Sequence, residues 1–233
     1  MSPTQATTVL DKIRSRGFWR VVIRPTTFLE RRIARVADLF PIVEKSSVRL
    51  RGSEYPHIGD PQTRRTGSEW VESEFDREDD LEVWRFYLSG LFVHFFTIAG
   101  DWRDHSNLWP AQPGWAPGRE LYSLQTMFSL VEIFEFAARL ALSPVGGSQM
   151  RVEIDKAGLK GRHLAASEGI FPSSYDFRTK AEEWKYLWEG SETELIASPR
   201  ELATEAAHDL FARFGLSVEL VKVLMTYQQR MSL

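Results

Sequence analysis

The segment from Glu82 to Ile98 constrains the fold of this 233-residue chain more than any other stretch. Aromatic and β-branched residues fill both of its halves, and the Ser89-Gly90 pair between them is typical of a two-residue β-hairpin turn. We therefore predict a hairpin over residues 82–98. A two-residue turn at Ser89-Gly90 would place Arg85 directly opposite His94, on a face that is otherwise apolar.

Both faces of this predicted hairpin are mostly apolar, so it should lie in the middle of a sheet that is covered on both sides. Two cations directly opposite each other repel, so His94 should be neutral unless a carboxylate joins the pair. Two interpretations of the pair are open at this point. His94 is a core histidine with a satisfied hydrogen bond, or Arg85 and His94 face a pocket that receives an anion.

A long helix is predicted from residue 120 to residue 142. Its apolar residues leave only a narrow polar stripe, formed by Gln125, Ser129, Glu132, Glu135 and Arg139. Such a helix is buried nearly all round, and its charged residues argue against a membrane span. Further on, Ser198-Pro199-Arg200-Glu201 is typical of a helix start, and Ser217 can begin a final helix. We predict an α+β fold, with an antiparallel sheet around the hairpin, the 120–142 helix packed on it and two helices at the C-terminus.

We predict a single domain over residues 1–233, with 144–149 as the candidate sub-boundary, because Pro144-Val145-Gly146-Gly147 interrupts the pattern there. After it, apolar and polar residues alternate from Met150 to Asp155, which is typical of a half-exposed strand. Period-two aromatic residues at 184, 186 and 188 favour another strand.

Composition excludes several classes of protein. The chain has no cysteine, which rules out disulfides, thiolate nucleophiles and iron–sulfur clusters. Its first residues lack the features of a signal peptide, and no apolar run is long enough for a membrane span. We therefore expect a cytoplasmic protein that does not contact a membrane.

Charge is distributed unevenly along the chain. Residues 12–51 hold eleven Lys/Arg and three acids, whereas residues 53–82 hold ten acids and three arginines. One interpretation is that these segments neutralise each other in the fold or lie on solvated faces. The alternative is that the basic segment faces a phosphate backbone. That contact would use a stripe of arginines on two nearby strands, formed by Arg20, Arg24, Arg49 and Arg51.

Residues 100–119 have neither helical nor strand periodicity, and long connections of this kind tend to be functional or disordered. Their three tryptophans argue against disorder. Two interpretations are open. The tryptophans pack against the core and hold the loop across it, or they form the rim of a site for a ligand or partner. These residues are Trp102, Trp109 and Trp115.

Sequence motifs for phosphate loops, nucleophile elbows and metalloprotease helices are absent, so no cofactor is expected. Two acidic clusters carry the alternative prediction of a metal site. One follows a strand end and consists of Asp101, Asp104 and His105. The other lies along a predicted strand and consists of Glu72, Glu74 and Asp76. A solvated loop for the first cluster and a solvated strand face for the second are the simpler explanations. The acids and lysine at 153–156 do not have the spacing of a metal nuclease.

Five short runs resemble those of bacterial proteins without an established activity, over nearly the whole chain. The runs are Ile23–Thr26 followed by Phe28, Val48–Gly52, Tyr55–Ile58, Trp84–Gly90 and Ser198–Leu202. The resemblance implies a bacterial or phage-related source and a self-contained domain. It also implies a component of a multi-protein system, such as anti-phage defence.

These observations favour a non-catalytic binding or accessory subunit that contacts a protein or nucleic-acid partner through the basic 12–51 segment. A protein partner is the first expectation, with nucleic acid and self-association as further options. The alternative is a divalent-metal-dependent nuclease or hydrolase that uses one of the acidic clusters. A third interpretation is a purely oligomeric scaffold.

Overall fold

A seven-stranded antiparallel sheet forms the centre of the molecule. The computed structural model describes residues 7–59, 61–77, 80–102, 116–165 and 176–231, with side chains described as far as residue 226. The strands are β1 (Phe18–Pro25), β2 (Arg64–Thr66), β3 (Trp70–Arg77), β4 (Asp80–Tyr87), β5 (Phe92–Thr97), β6 (Glu120–Tyr122), β7 (Gln149–Ala157), β8 (His163–Ala165) and β9 (Glu183–Ser191). The sheet order is β2-β3-β4-β5-β1-β7-β9, and β6 pairs with β8 in a separate parallel pair.

Helices cover one face of this sheet, which we call the inner face. They are α2 (Leu39–Ser46), α3 (Ser123–Ala141), α4 (Glu192–Ala197), α5 (Pro199–Ala212) and α6 (Val218–Met231), and the other four contact α3. The short helix α1 (Val9–Arg14) lies against the opposite, outer face. The predicted α+β fold with two C-terminal helices is therefore confirmed. None of the helices within the described residues is long and apolar enough to cross a membrane.

The core lies between the inner face and α3. Fifteen of the nineteen residues of α3 are buried, because the sheet lies on one side of the helix and the other helices pack around the rest. Aromatic contacts join the two layers: the ring centroids of Phe92 and Phe136 are 4.8 Å apart, and those of Phe134 and Tyr186 are 6.5 Å apart. The predicted buried helix is thus present, with β6 in place of its first turn.

The predicted hairpin is present as β4 and β5, but its predicted register is wrong by one residue. Arg85 pairs with Val93, and His94 pairs with Trp84. The connection is a three-residue loop, Leu88 to Gly90, in which Gly90 has a φ of 83°. A loop longer by one residue shifts the pairing, and every side chain of one strand then changes face relative to the other.

The described residues cover only part of the outer face of the sheet. Ile13 of α1 packs there with Leu81, Val83 and Phe95 in a small second cluster. Towards β7 the outer face carries paired charges, with Arg20 Nη1 2.7 Å from Asp155 Oδ2. The hairpin is therefore central in the sheet, as predicted, and a short helix covers its outer side within the part of the chain that the structure describes.

The sheet continues across the candidate sub-boundary at 144–149. β7 follows this turn and pairs with all eight residues of β1, while its other edge pairs with β9. Strands from both sides of 144–149 therefore share one sheet and one core.

Candidate functional site

A cross-strand row of large side chains on the inner face contains one lysine. The strand registers place Phe96 beside Trp19, Trp19 beside Lys156, and Lys156 beside Trp184. Lys156 continues the alternation by which Met150, Val152 and Ile154 point into the core, since side chains two residues apart share a face. The fold thus places an amine among aromatic rings.

A cavity of about 280 Å³ lies between this row and the first turns of α3. Its apolar wall includes Trp19, Phe96, Ile98 and Leu121. α3 contributes the polar side chains of Gln125, Thr126 and Ser129. Exposed residues complete the lining, namely Arg51, Ser53 and Asp80. The arrangement combines apolar walls with a few convergent polar groups, as ligand pockets do.

Lys156 is the unusual group in this cavity, because its side chain is only 1% exposed. Its Nζ lies 3.3 Å from the centroid of the Trp19 ring, in a cation–π geometry. Among the described residues, its ammonium group contacts the Trp19 ring and forms no ion pair with a carboxylate. Burial lowers the pKa of Lys156 well below 10.5, and the positive charge of Arg162 lowers it further, while Asp101 partly opposes the shift. The neutral amine is therefore favoured far more than in a solvated lysine.

A buried ion pair lies next to Lys156 at the end of the sheet. Arg162 Nη1 donates to Asp101 Oδ1 at 2.5 Å, and Nη2 donates to the other carboxylate oxygen. The N–H of Gly17 donates to the same Asp101 Oδ2 at 3.0 Å. Gly17 is needed here because a Cβ atom would lie 2.6 Å from Asp101 Oδ2 and still closer to Arg162. Both partners of the pair are thus satisfied without Lys156.

A second buried carboxylate, Glu132 of α3, is held by Arg51 near the cavity. Arg51 Nε donates to Glu132 Oε1 at 3.0 Å, and Nη2 donates to Oε2. Burial raises the pKa of Glu132, and Glu82 and Asp80 raise it further, whereas Arg51 lowers it. The positive charge of Arg51 is therefore already engaged by a protein carboxylate.

His94 is fully buried on the inner face, and it does not pair with Arg85. Its Nδ1 lies 3.2 Å from the Tyr55 hydroxyl, and its Nε2 lies 2.9 Å from Glu82 Oε1 without hydrogen-bond alignment. Burial, with the negative charge of Glu82 next, raises the pKa of Tyr55 well above 10. His94 therefore has the environment of a core histidine.

Arg85 lies on the opposite, outer face, where its Nε donates to Glu72 at 2.8 Å and its guanidinium stacks over Trp70. The shared Arg85–His94 pocket that the two-residue turn predicted is therefore wrong, for the reason of register given above. The two residues extend from opposite faces of the same sheet.

The other predicted binding residues are dispersed rather than gathered. Arg20 and Arg24 lie on the outer face beside Asp155 and Glu153, while Arg49 pairs with Glu54. Arg51 lies at the cavity instead, so the four arginines do not form one stripe. Trp102 is half-buried, with the Arg16 guanidinium 4.3 Å from its ring centroid. Trp109 and Trp115 lie outside the described residues.

In the structure, the described acids of the two predicted metal clusters pair with arginine or lysine side chains. Both carboxylate oxygens of Asp101 are bound by Arg162, and Asp104 and His105 lie outside the described residues. In the other cluster, Glu74 pairs with Arg65 at 3.0 Å and Asp76 with Lys12 at 2.5 Å, while Glu72 holds Arg85. Within the described ranges, no group of three or more His, Asp or Glu side chains could hold a metal ion.

Sequence reasoning missed Lys156 as a site residue, although a signal was present. The alternation that predicted a half-exposed strand from Met150 onward assigns Lys156 to the same face as Ile154. A lysine at a buried position in a strand pattern is rare enough to single out. Grouping Lys156 with the neighbouring acids 153 and 155 concealed this, because those acids point to the outer face.

Comparison with known proteins does not assign this site. The chain matches no family model, and no curated protein or solved structure shows significant similarity to it. Function must therefore be inferred from the chemistry of the cavity.

Proposed function

We propose that this protein is a binding protein, and that it holds a small ligand with an acidic group in the cavity beside Lys156. The observation that carries the proposal is the amine of Lys156, which lines the cavity, belongs to a residue only 1% exposed and pairs with no carboxylate among the described residues. Burial of a charged group without a countercharge costs free energy, and groups whose pKa is shifted by burial often lie at functional sites.

An acidic ligand would supply what Lys156 lacks. A carboxylate or phosphate oxygen beside the amine provides both an acceptor and a countercharge, and such charge-assisted hydrogen bonds are stronger than neutral ones. The ligand would then favour the ammonium form of Lys156, which burial disfavours in the free protein. Binding and protonation would be coupled.

The remainder of the cavity supports the same ligand. Gln125 and Thr126 lie in the first turn of α3, where the partial positive charge of a helix N-terminus favours an anion. The wall of Trp19 and Phe96 can hold an apolar part. A volume of about 280 Å³ is at the small end of ligand pockets, so we infer a ligand of metabolite size.

Nucleic acid receives less support as a partner. Phosphate contacts need accessible cationic groups, whereas Arg20, Arg24 and Arg49 each have a carboxylate partner on the protein surface. A metal-dependent hydrolase receives less support as well, because Arg162 occupies the oxygens of Asp101. The small acidic ligand is therefore the partner we propose.

The test measures the binding of three simple probes, acetate, benzoate and inorganic phosphate, by calorimetry and by the shift in unfolding temperature. We expect at least one probe to bind and stabilise the natural protein, and Lys156→Met to abolish that effect. Lys160→Met is the matched control, because Lys160 follows β7 closely but is exposed. Equal probe binding by the natural protein and Lys156→Met would contradict the proposal.

A further inference from the structure

The two edges of the main sheet differ in length. β2 closes one edge with only three residues, two of which are arginines, which is a common protection against edge-to-edge pairing. β9 closes the other edge with nine residues, Glu183 to Ser191. A long edge strand is a template for a further strand unless something covers it.

The backbone groups of β9 alternate between its partner strand and the free edge. The N–H of Glu192 donates to the carbonyl of Ser148 at 3.3 Å, in line with the β7–β9 register. The hydrogen-bonded pairs with β7 therefore fall on even-numbered residues of β9, and odd-numbered residues point their backbone groups away. Among the described residues, the backbone groups of Lys185, Leu187 and Glu189 have no hydrogen-bond partner on that side.

We propose that two copies of this protein dimerise by antiparallel pairing of their β9 strands, about a twofold axis at Leu187. This register makes hydrogen-bonded pairs of the odd-numbered residues, whose backbone groups are free. It also places Lys185 opposite Glu189 of the partner subunit, and the same contact recurs across the axis. The seven-stranded sheet would become a continuous sheet of two copies.

Charge selects this register over the neighbouring ones. A shift of two residues in one direction places Glu183 opposite Glu189, and a shift of four residues places Lys185 opposite its own copy. A shift of two residues in the other direction removes both Lys185–Glu189 contacts. A shift of four residues in that direction places the two Glu189 side chains opposite each other. Like charges that face each other across paired strands destabilise the pairing, whereas opposite charges stabilise it.

The side chains that point outward from β9 also fit a second copy. Leu187 is 57% exposed, and the twofold axis would place it against the same residue of the other copy. Lys185 and Glu189 already contact Glu183 and Arg151 of their own chain, at 2.8 and 2.7 Å, so the new contacts would extend an existing surface network. Because the surface complements itself, a closed twofold dimer follows rather than an open chain.

The test uses the full chain and two charge reversals, Lys185→Glu and Glu189→Lys. At a protein concentration of about 100 µM, where mass action favours association, we expect light scattering to give the dimer mass for the natural protein. Each reversal creates two like-charge contacts and should weaken dimerisation by roughly tenfold or more. An equimolar mixture of the two variants should restore the dimer mass, because both contacts are again between opposite charges.

Controls separate this interface from misfolding and from other surfaces. Lys180→Glu changes the net charge as Lys185→Glu does, but Lys180 lies outside β9, so this variant should remain dimeric. Leu187→Lys places two cations at the axis and should give a folded monomer by circular dichroism. A natural protein that is monomeric at this concentration would overturn the proposal. A dimer that both reversals leave intact would also overturn it, and so would a mixture of the two variants that stays monomeric. Pairing of β9 with an unrelated protein but not with a second copy would overturn it as well.

Discussion

Replacement of Lys156 by methionine separates a functional lysine from a structural one. Methionine has a similar length and no branch at Cβ, so it can follow the same path between Trp19 and Trp184. Its thioether makes favourable contacts with aromatic rings, which replace part of the cation–π contact. The substitution therefore removes the charge and the hydrogen-bond donors while it keeps most of the packing.

The expected effect at neutral pH is an increase in the free energy of unfolding. Replacement of a buried ion pair by apolar residues of similar volume is often neutral or stabilising by about 1–4 kcal/mol, and we expect a buried cation without a carboxylate partner to follow the same trend. The lost cation–π contact costs about 0.5–2 kcal/mol. We therefore expect Lys156→Met to be more stable than the natural protein at pH 7 by roughly 0.5–2 kcal/mol, the difference between the two ranges. If Lys156 served stability, the change would be destabilising.

The pH dependence gives a sharper signature. Burial lowers the pKa of Lys156 in the folded protein well below 10.5, the value expected in the unfolded chain. Between these two pKa values the unfolded chain holds a proton that the folded protein lacks, so the stability of the natural protein rises with pH. The slope is at most about 1.4 kcal/mol per pH unit for one proton. Below the pKa of the folded state, Lys156 is protonated in both states, so its contribution to the free energy of unfolding no longer changes with pH.

Urea unfolding of the natural protein and of Lys156→Met, at several pH values from 7 to 10, measures this difference directly. The stability advantage of Lys156→Met should shrink as the pH rises towards 10.5. Lys160→Met, at an exposed position, should follow the natural protein throughout. Parallel stability curves for the natural protein and Lys156→Met would refute a lowered pKa. A variant that is less stable at every pH would refute the functional interpretation.

Three further predictions concern the site and the hairpin. Gly17→Ala should lower the free energy of unfolding by about 3 kcal/mol in urea, because its Cβ would separate Asp101 from Arg162 and leave buried charges unpaired. The affinity of the cavity for a bound carboxylate should fall about tenfold per pH unit above the folded pKa of Lys156, since the ammonium form is the one that binds. Calorimetry at two alkaline pH values measures this, and a pH-independent affinity would contradict it. Gly90→Ala should cost about 1–2 kcal/mol in the same urea assay, because residue 90 has a left-handed backbone conformation; an unchanged midpoint would count against the three-residue loop.

The sequence by itself determined which segments form the principal elements. The aromatic arms of the 82–98 hairpin, the nearly uniform apolar surface of α3 and the period-two aromatic residues of β9 are all local patterns. The local period predicts which side chains share a face of a strand or helix, and the apolar face becomes buried when that element packs. The same alternation, continued by one residue, indicates that Lys156 lies on the buried face of β7.

Only the tertiary structure decided the hairpin register, the cavity and the partners of the charged groups. The register depended on one extra loop residue, Leu88, and that single residue placed His94 in the core and Arg85 on the outer face. The cavity combines side chains of β1, β5, β7 and α3 with the segment around Arg51, which lie far apart along the chain. Contacts of this kind arise from how strands pair and how the helix packs, and no local period in the sequence encodes them.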